Sequence, residues 1–309
     1  MARKKMGNKV NGWVLLDKPA DMTSQAATNA VKNIFYAQKA GHAGTLDPLA
    51  TGMLPIALGE ATKTIPYMMG DAKEYKFTIR WGIETDSHDS DGDVVKEMVF
   101  SPNPDDIRAV LPLFIGKIQQ QPPQFSAIKI NGKRAYDLAR KGHEVDIPLR
   151  EVDIYDFQLL SVDDAKHASF CVSCGSGTYI RALARDVAVK LGGIGHVSRL
   201  QRTKVGFFCL ENAILLEELK EKAHKATEFD VLQPIEAGLD GISVITLDGV
   251  EAANLRNGRP VSLLGWGNMS ILEQFTNGEI ILAMGEDAPL GMVCYEKGSI
   301  KAKRLFNMA

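Results

Sequence analysis

The sequence predicts a mixed α/β protein in two parts, an α/β region over roughly residues 1–236 and a small, mostly β region over 237–309. Three observations predict it. Segments that alternate apolar and polar residues, such as 74–81 (EYKFTIRW), are interleaved with segments at helical spacing, the clearest being 178–191 (TYIRALARDVAVKL). Composition shifts near 232–238 (LQPIEAG), and beyond it come short apolar runs separated by Gly turns. Hydrophobic residues make up 45% and charged residues 24% of 309 residues, which suits a globular chain with a substantial buried core.

The elements follow in order. Residues 10–17 are a short apolar strand ending in Asp17-Lys18-Pro19. Thr23-Ser24 starts a helix that carries Ala26, Ala27, Val31, Ile34 and Phe35 at helical spacing. A Gly-rich loop and an apolar run precede a helix expected over 61–69, and 74–81 is a strand. Asn103-Pro104 opens a short helix over 105–114. Residues 119–128 are Pro-rich and extended, Asn131-Gly132 is a turn, and 135–141 is a helix stopped by Gly142. Residues 151–161 and 168–173 alternate as strands, and the helix over 178–191 is stopped by Gly192-Gly193. In the last part ISVITL, VSLL, EIILAM and MVCYE are strands.

Charge and cysteine content narrow the function. The net charge is only −2, but the charges are segregated. Acids gather in 86–93 and 211–221, and basic residues in 129–141, 199–204 and 297–304. Clustered cations are what phosphate binding needs, although a lone charge run is most simply a solvated face. Cys171 and Cys174 form a C-x-x-C with no second pair, inside an alternating SFCVSC run, so they are expected to be strand thiols. The Asp89-Ser-Asp91-Gly92 run lacks an acid at the first and last positions of a calcium loop, and a solvated acidic loop is expected there. No apolar run approaches the roughly 20 residues of a membrane span, and the N-terminus lacks the apolar core of a signal peptide, so a cytoplasmic location is expected.

The densest signal is residues 41–63, GHAGTLDPLATGMLPIALGEATK. One acid, Asp47, sits in a loop with Gly41, Gly44 and Gly52 around it and Pro48 directly after it. Such a loop presents a single reactive group on a constrained backbone. For an isolated acid, capping a turn would be the simpler role.

This segment resembles the catalytic motif of the TruB family of pseudouridine synthases. GWVLLDKPADMTSQ, the Lys73-Glu74-Tyr75 strand, PPQFSAIKINGKRAYDLARKG, SGTYIRALARD and HVSRLQRTKVGFF resemble further segments of the same family, in the same order. The resemblance implies a mixed, mainly antiparallel sheet flanked by helices, with an RNA-clamping insertion near 119–150, and a small PUA-like RNA-binding β domain at the C-terminal side. It implies Asp47 as nucleophile, with Tyr75 and Arg181 as the other catalytic residues. His42, Leu200, Lys63 and Lys18 are implied on the substrate side. The implied reaction isomerises uridine to pseudouridine in the T-loop of tRNA, at position 55. The implied partner is the T-arm stem-loop, met by a monomer without membrane or metal.

The residue types suit that chemistry. Pseudouridine forms when the C1′–N1 glycosidic bond breaks, the base turns, and C5 bonds to C1′. This isomerisation calls for no redox cofactor, metal or donor, but it calls for a nucleophile, and an ionised carboxylate serves at C6 of the base or at C1′. A carboxylate in a closed pocket needs a counter-charge, which Arg181 supplies with a permanently charged fork. The uridine has to leave its stack, and Tyr75 and Leu200 offer faces to receive it. Two other readings remain at this level: a non-catalytic RNA-binding or RNA-folding protein on the same fold, and a glycosidase. The glycosidase requires a second acid flanking the bond, which the motif does not provide.

Overall fold

The computed structural model describes residues 6–68, 70, 72–126, 129–130, 133–134, 147–264 and 274–308. The strands in chain order are β1 (Gly12–Lys18), β2 (Ala40–His42), β3 (Thr51–Leu58), β4 (Lys73–Trp81), β5 (Ile83–Thr85), β6 (Val94–Glu97), β7 (Gly116–Gln120), β8 (Lys129–Ile130), β9 (Lys133–Arg134), β10 (Arg150–Asp164), β11 (His167–Cys174), β12 (Gly195–Val205), β13 (Phe208–Cys209) and β14 (Ile214–Leu215). The helix expected over 135–141, and with it most of the basic run 129–141, lies outside the described residues.

Ten of these strands make one sheet. Its main path runs β14-β1-β3-β12-β4-β11-β10-β7, with β2 on β3 and β13 on β12. Among the described strands, the pairs β1–β14 and β3–β12 are parallel and the other pairs of this sheet antiparallel, so the sheet is mixed and mainly antiparallel. Alternation sets the two faces. On β4, Tyr75, Phe77, Ile79 and Trp81 turn into the main core, while Glu74, Lys76, Thr78 and Arg80 turn to the other face. Phe77 stacks on Phe170 with ring centroids 5.4 Å apart, and Phe157 and Trp81 close the cluster. The helices Ser24–Ile34, Ile180–Lys190 and Leu216–His224 cover this face with Ala27, Val31, Leu183, Val187 and Leu219.

Helix ends follow local chemistry. Thr23 caps the first helix, its hydroxyl accepting from the Ala26 amide at 3.1 Å. The helix expected over 178–191 begins at Ile180, because Gln120 holds the Tyr179 backbone through both its side-chain oxygen and nitrogen, at 2.8 and 3.2 Å. It stops in a Schellman turn in which Gly193 N–H reaches Ala188 O and Gly192 N–H reaches Val189 O. The expected helix over 61–69 is instead a 3₁₀ turn, Gly59–Lys63, followed by the short helix Ile65–Met68. Pro66 has no N–H for a continuous helix. In the same way Pro112 ends the helix Pro104–Val110, and Leu111–Phe114 tightens to 3₁₀.

The segment 232–238 folds back on β1. Trp13 and Gln233 exchange backbone hydrogen bonds at 2.8 Å, and the indole N–H of Trp13 donates to Ile235 O at 3.1 Å. Beyond it, β15 (Val244–Thr246), β16 (Val261–Ser262), β17 (Ile280–Met284), β18 (Pro289–Glu296) and β19 (Ser299–Leu305) form a second sheet in the order β15-β17-β18-β19-β16. It has its own core around Leu255, Ile281, Val293 and Ile300. Sequence reasoning placed four strands here and missed β19 and the helix Gly249–Arg256, although Asp248 and Glu251 form a capping box that announces that helix.

Candidate active site

Asp47 lies in the loop between β2 and β3, and buried polar side chains hold that loop from several sides. Ser24, in the first turn of its helix, donates to Leu46 O at 2.9 Å and accepts from the Leu46 amide at 2.8 Å. The residue before Asp47 is therefore pinned on both backbone groups. Lys18, at the end of β1, is fully buried. Its ammonium donates to the carbonyls of Pro19, Met22 and Pro48 at 2.8, 2.7 and 3.1 Å, which pins the residue after Asp47. Arg202, on β12 and 1% exposed, donates to Met53 O at 2.8 Å, Gly44 O at 3.0 Å and Thr45 O at 3.4 Å. Gly52 lets Arg202 come so near. Its φ is +103°, and a Cβ there would sit 2.2 Å from Arg202 O.

The carboxylate held in this way is 34% exposed and faces Arg181. Arg181 is 4% exposed, in the first turn of the helix Ile180–Lys190, and its Nε lies 2.8 Å from Asp47 Oδ2. That nitrogen makes no aligned hydrogen bond, so the contact is a close ion pair set off the N–H direction. The rest of the fork is fixed: one terminal nitrogen donates to Ser87 O at 2.8 Å and the other to Phe125 O at 3.0 Å. The nitrogen on Ser87 also lies 3.4 Å from Asp89 Oδ2. A cation tied to two carbonyls cannot swing away, so Asp47 has a stationary counter-charge.

Asp89 corrects the expectation of a solvated acidic loop. It is 4% exposed, takes hydrogen bonds from the Ser87 hydroxyl and the Asp91 amide, and its backbone pairs with Val197 of β12. Burial raises its pKa, against the pull of Ser87 and Arg181. Arg181 thus stands between two carboxylates, one buried and one half-open.

The other expected residues divide. Tyr75, on β4, is 8% exposed and pairs with Arg202 across the strands. Burial raises its hydroxyl pKa; the Arg202 guanidinium opposes this, and Asp47 is among the charges it feels. It stays a protonated phenol at neutral pH. His42 ends β2, half-buried, where burial and then the charge of Arg202 lower its pKa, so its imidazole is neutral at pH 7. Leu200 is 7% exposed, two residues before Arg202 and packed into the main core. Tyr179, which sequence reasoning passed over, stands at the N-cap position of the helix that carries Arg181, and burial raises its hydroxyl pKa.

Lys18 and Lys63, expected on the substrate side, both have their ammonium groups engaged within the protein. The Lys18 ammonium is spent on three carbonyls and closed to solvent, so it supports the loop. Lys63 binds Glu60 at 2.5 Å and Leu305 O at 2.7 Å, joining the end of the motif to the second sheet. Among the described residues no cluster of three or more His, Cys, Asp or Glu could hold a metal ion.

Comparison with known proteins gives the family of the chain. Residues 32–180 match the TruB family pseudouridylate synthase (N terminal domain) model, and residues 181–240 match the tRNA pseudouridylate synthase B C-terminal domain model. The second sheet lies beyond both matches. Proteins named tRNA pseudouridine synthase B from Caulobacter vibrioides and Chelativorans sp. are 44% and 47% identical, and each alignment covers all of both chains. Among solved structures, an H/ACA RNP bound to a substrate RNA containing 2'-deoxyuridine has a chain that superposes with TM-score 0.72 at 21% identity, covering 99% of this chain and 92% of that one. That last likeness concerns the fold alone. The full-length identity and the two family models together show that this chain belongs to the TruB family of pseudouridylate synthases.

Proposed function

We propose that this protein converts uridine to pseudouridine in the T-loop of tRNA, at position 55, with Asp47 as nucleophile and without a cofactor. The observation that supports this most is the Asp47–Arg181 pair: a partly open carboxylate 2.8 Å from a buried guanidinium that cannot turn away. The uridine swings out of the loop, its base resting against the faces of Tyr75 and Leu200, with His42 beside the displaced neighbours. Asp47 attacks C6 or C1′, the C1′–N1 bond breaks, the base turns and C5 joins C1′. The bond to Asp47 then breaks to restore the carboxylate, and the C5 proton is lost while N1 takes one up, so the product is an isomer of uridine. Tyr75 is a poor base in its buried, protonated state, so it serves chiefly as a stacking face.

Residues 1–236 make the catalytic part in this reading, and residues 237–309 act as a PUA-like RNA-binding part. The protein works as a monomer in the cytoplasm, where its RNA substrate is. The test is to incubate the protein with a T-arm stem-loop and locate pseudouridine by chemical modification and primer extension. Modification at the single T-loop uridine is the expected result. Absence of pseudouridine, or release of free base, overturns the reading.

A further inference from the structure

Beside the Asp47–Arg181 pair lies a second buried guanidinium. Arg202 is 1% exposed, and its fork donates to Met53 O, Gly44 O and Thr45 O at 2.8, 3.0 and 3.4 Å. Gly44 and Thr45 lead into Asp47 along the chain. A guanidinium carries five N–H groups in one plane, so three carbonyls leave further donors to place. Burying those donors without an acceptor would be costly.

The neighbouring strand supplies the acceptor. Arg202 on β12 stands directly opposite Tyr75 on β4, so the two side chains leave the sheet on the same face. Both are buried. The Tyr75 hydroxyl shares a side-chain hydrogen bond with Arg202, and since a guanidinium cannot accept, the phenol oxygen is the acceptor. His42 and Lys18 feel the same charge, so Arg202 lies among the residues gathered about Asp47. Leu200, opposite Phe77 in the same ladder, keeps to this face as well.

One side chain therefore ties the loop that carries the nucleophile to the ring on which the base is to rest. A ring held by packing alone can tilt and slide. A ring held at its oxygen by a fork fixed at three other points is constrained in both, and a misplacement of about 1 Å costs roughly a hundredfold in rate.

We propose that Arg202 is a positioning residue for the reaction: it holds the Tyr75 ring, by its hydroxyl oxygen, at a set distance and tilt from Asp47. The inference rests on the uridine-modifying reading above and adds the residue that keeps stacking face and nucleophile in register. Arg202 itself is buried and acts through Tyr75.

The test is a double-mutant cycle of wild type, Tyr75→Phe, Arg202→Lys and the double variant. Affinity for a T-arm stem-loop and the single-turnover rate at saturating RNA are measured for each. Tyr75→Phe keeps the ring and loses its anchor, and the saturating rate should fall roughly tenfold. Arg202→Lys should lower it roughly thirtyfold, because one ammonium cannot meet three carbonyls and the phenol together. Affinity should stay within about twofold of wild type throughout. In the Tyr75→Phe background the Arg202 substitution should cost only about threefold more, since the route through the hydroxyl is already lost. If Arg202 merely supported the Asp47 loop, the two losses would multiply to about three-hundredfold, and that result overturns the proposal. So does a loss confined to RNA affinity.

Carbon NMR of protein labelled at tyrosine Cζ reads the contact in wild type, whether or not Arg202→Lys folds. The signal missing from Tyr75→Phe belongs to Tyr75. It should lie away from the position of a phenol without a charged donor, and a Tyr75 signal at that position overturns the proposal. If the signal shows the hydrogen bond yet wild type makes no pseudouridine, the functional reading fails and the Arg202–Tyr75 link stands.

Discussion

The two ends of the stretch 41–63 look alike in sequence and do different work. At the Asp47 end, Ser24, Lys18 and Arg202 come from three separate elements and donate to the backbone on both sides of one acid. At the Lys63 end, the charged side chains face the second sheet. Lys63 and Glu60 bind Leu305 O and Asn307 N–H, and Phe306 packs among Met53, Ala57 and Met68. One end is a loop whose backbone is held by buried donors; the other is a seat for the second sheet. A run that is continuous in sequence is divided between two structural roles. Burial and hydrogen-bond partners separate the two roles.

The comparison breaks if variants at the two ends behave alike. Arg181→Met should have the largest effect among the supporting groups. It leaves Asp89 buried without its cation and Asp47 without its partner, a cost of about 3–5 kcal/mol. Turnover should fall by roughly a hundred- to a thousandfold and thermal stability should drop. Arg181→Lys should not rescue it, because one ammonium cannot serve Asp47, Asp89, Ser87 and Phe125 together. Single-turnover kinetics beside a thermal melt would show it, and wild-type turnover in Arg181→Met would remove the counter-charge from the account.

Lys18→Met comes next. Losing donors to three partly buried carbonyls costs about 1–3 kcal/mol and loosens the Asp47 loop, so kcat should fall with little change in RNA affinity. Lys18 also makes a pH prediction. Burial lowers its pKa to about 8, with the charge of Asp47 resisting the shift. A neutral amine has two N–H groups for three carbonyls, so kcat should decline as pH rises through about 8. Stability runs the other way: the unfolded chain holds this proton up to the ordinary lysine range, so the Lys18 contribution to stability grows from about pH 8 upward. A pH–rate profile in Lys18→Met that keeps the same alkaline limb would exclude Lys18 as its source.

Lys63→Met should have the smallest effect. The pair with Glu60 is partly exposed, and its loss costs at most about 1 kcal/mol. Saturating turnover on a short T-arm hairpin should stay within about twofold of wild type. A loss as large as that of Lys18→Met would place Lys63 at the reacting uridine and erase the distinction drawn between the two ends.

What could be seen in the sequence follows the range of each interaction. Asp47 stood out because its loop is local: one acid among Gly, Thr and Pro. Arg181 stood out through its family segment, and the helix that bears it through periodicity and a Gly-Gly stop. The donors that hold Asp47 could not be found in this way. Lys18 and Lys63 read as equivalent cations, and only the folded chain shows one sealed under three carbonyls and the other on an outer seam. Asp89 sat in a run of acids that reads as solvated, and it is buried because β12, distant in sequence, pairs beside it. Arg202 was visible as part of a basic cluster. Its neighbour Gly52 was the signal for close backbone approach, but the partner is 150 residues away, as Gly52 to Arg202 pairing shows. In the second sheet the local rules were sufficient for the helix Gly249–Arg256, whose capping box is written in Asp248 and Glu251.

The most direct test of the central claim separates binding from chemistry at Asp47. Asp47→Asn keeps the size and polarity of the side chain and removes its charge as a nucleophile. Affinity for a T-arm stem-loop and single-turnover pseudouridine formation would be measured on the same preparation, at RNA concentrations that saturate binding. The account predicts near-wild-type affinity with turnover reduced by about a thousandfold or more. Pseudouridine formed at a rate within tenfold of wild type would contradict it.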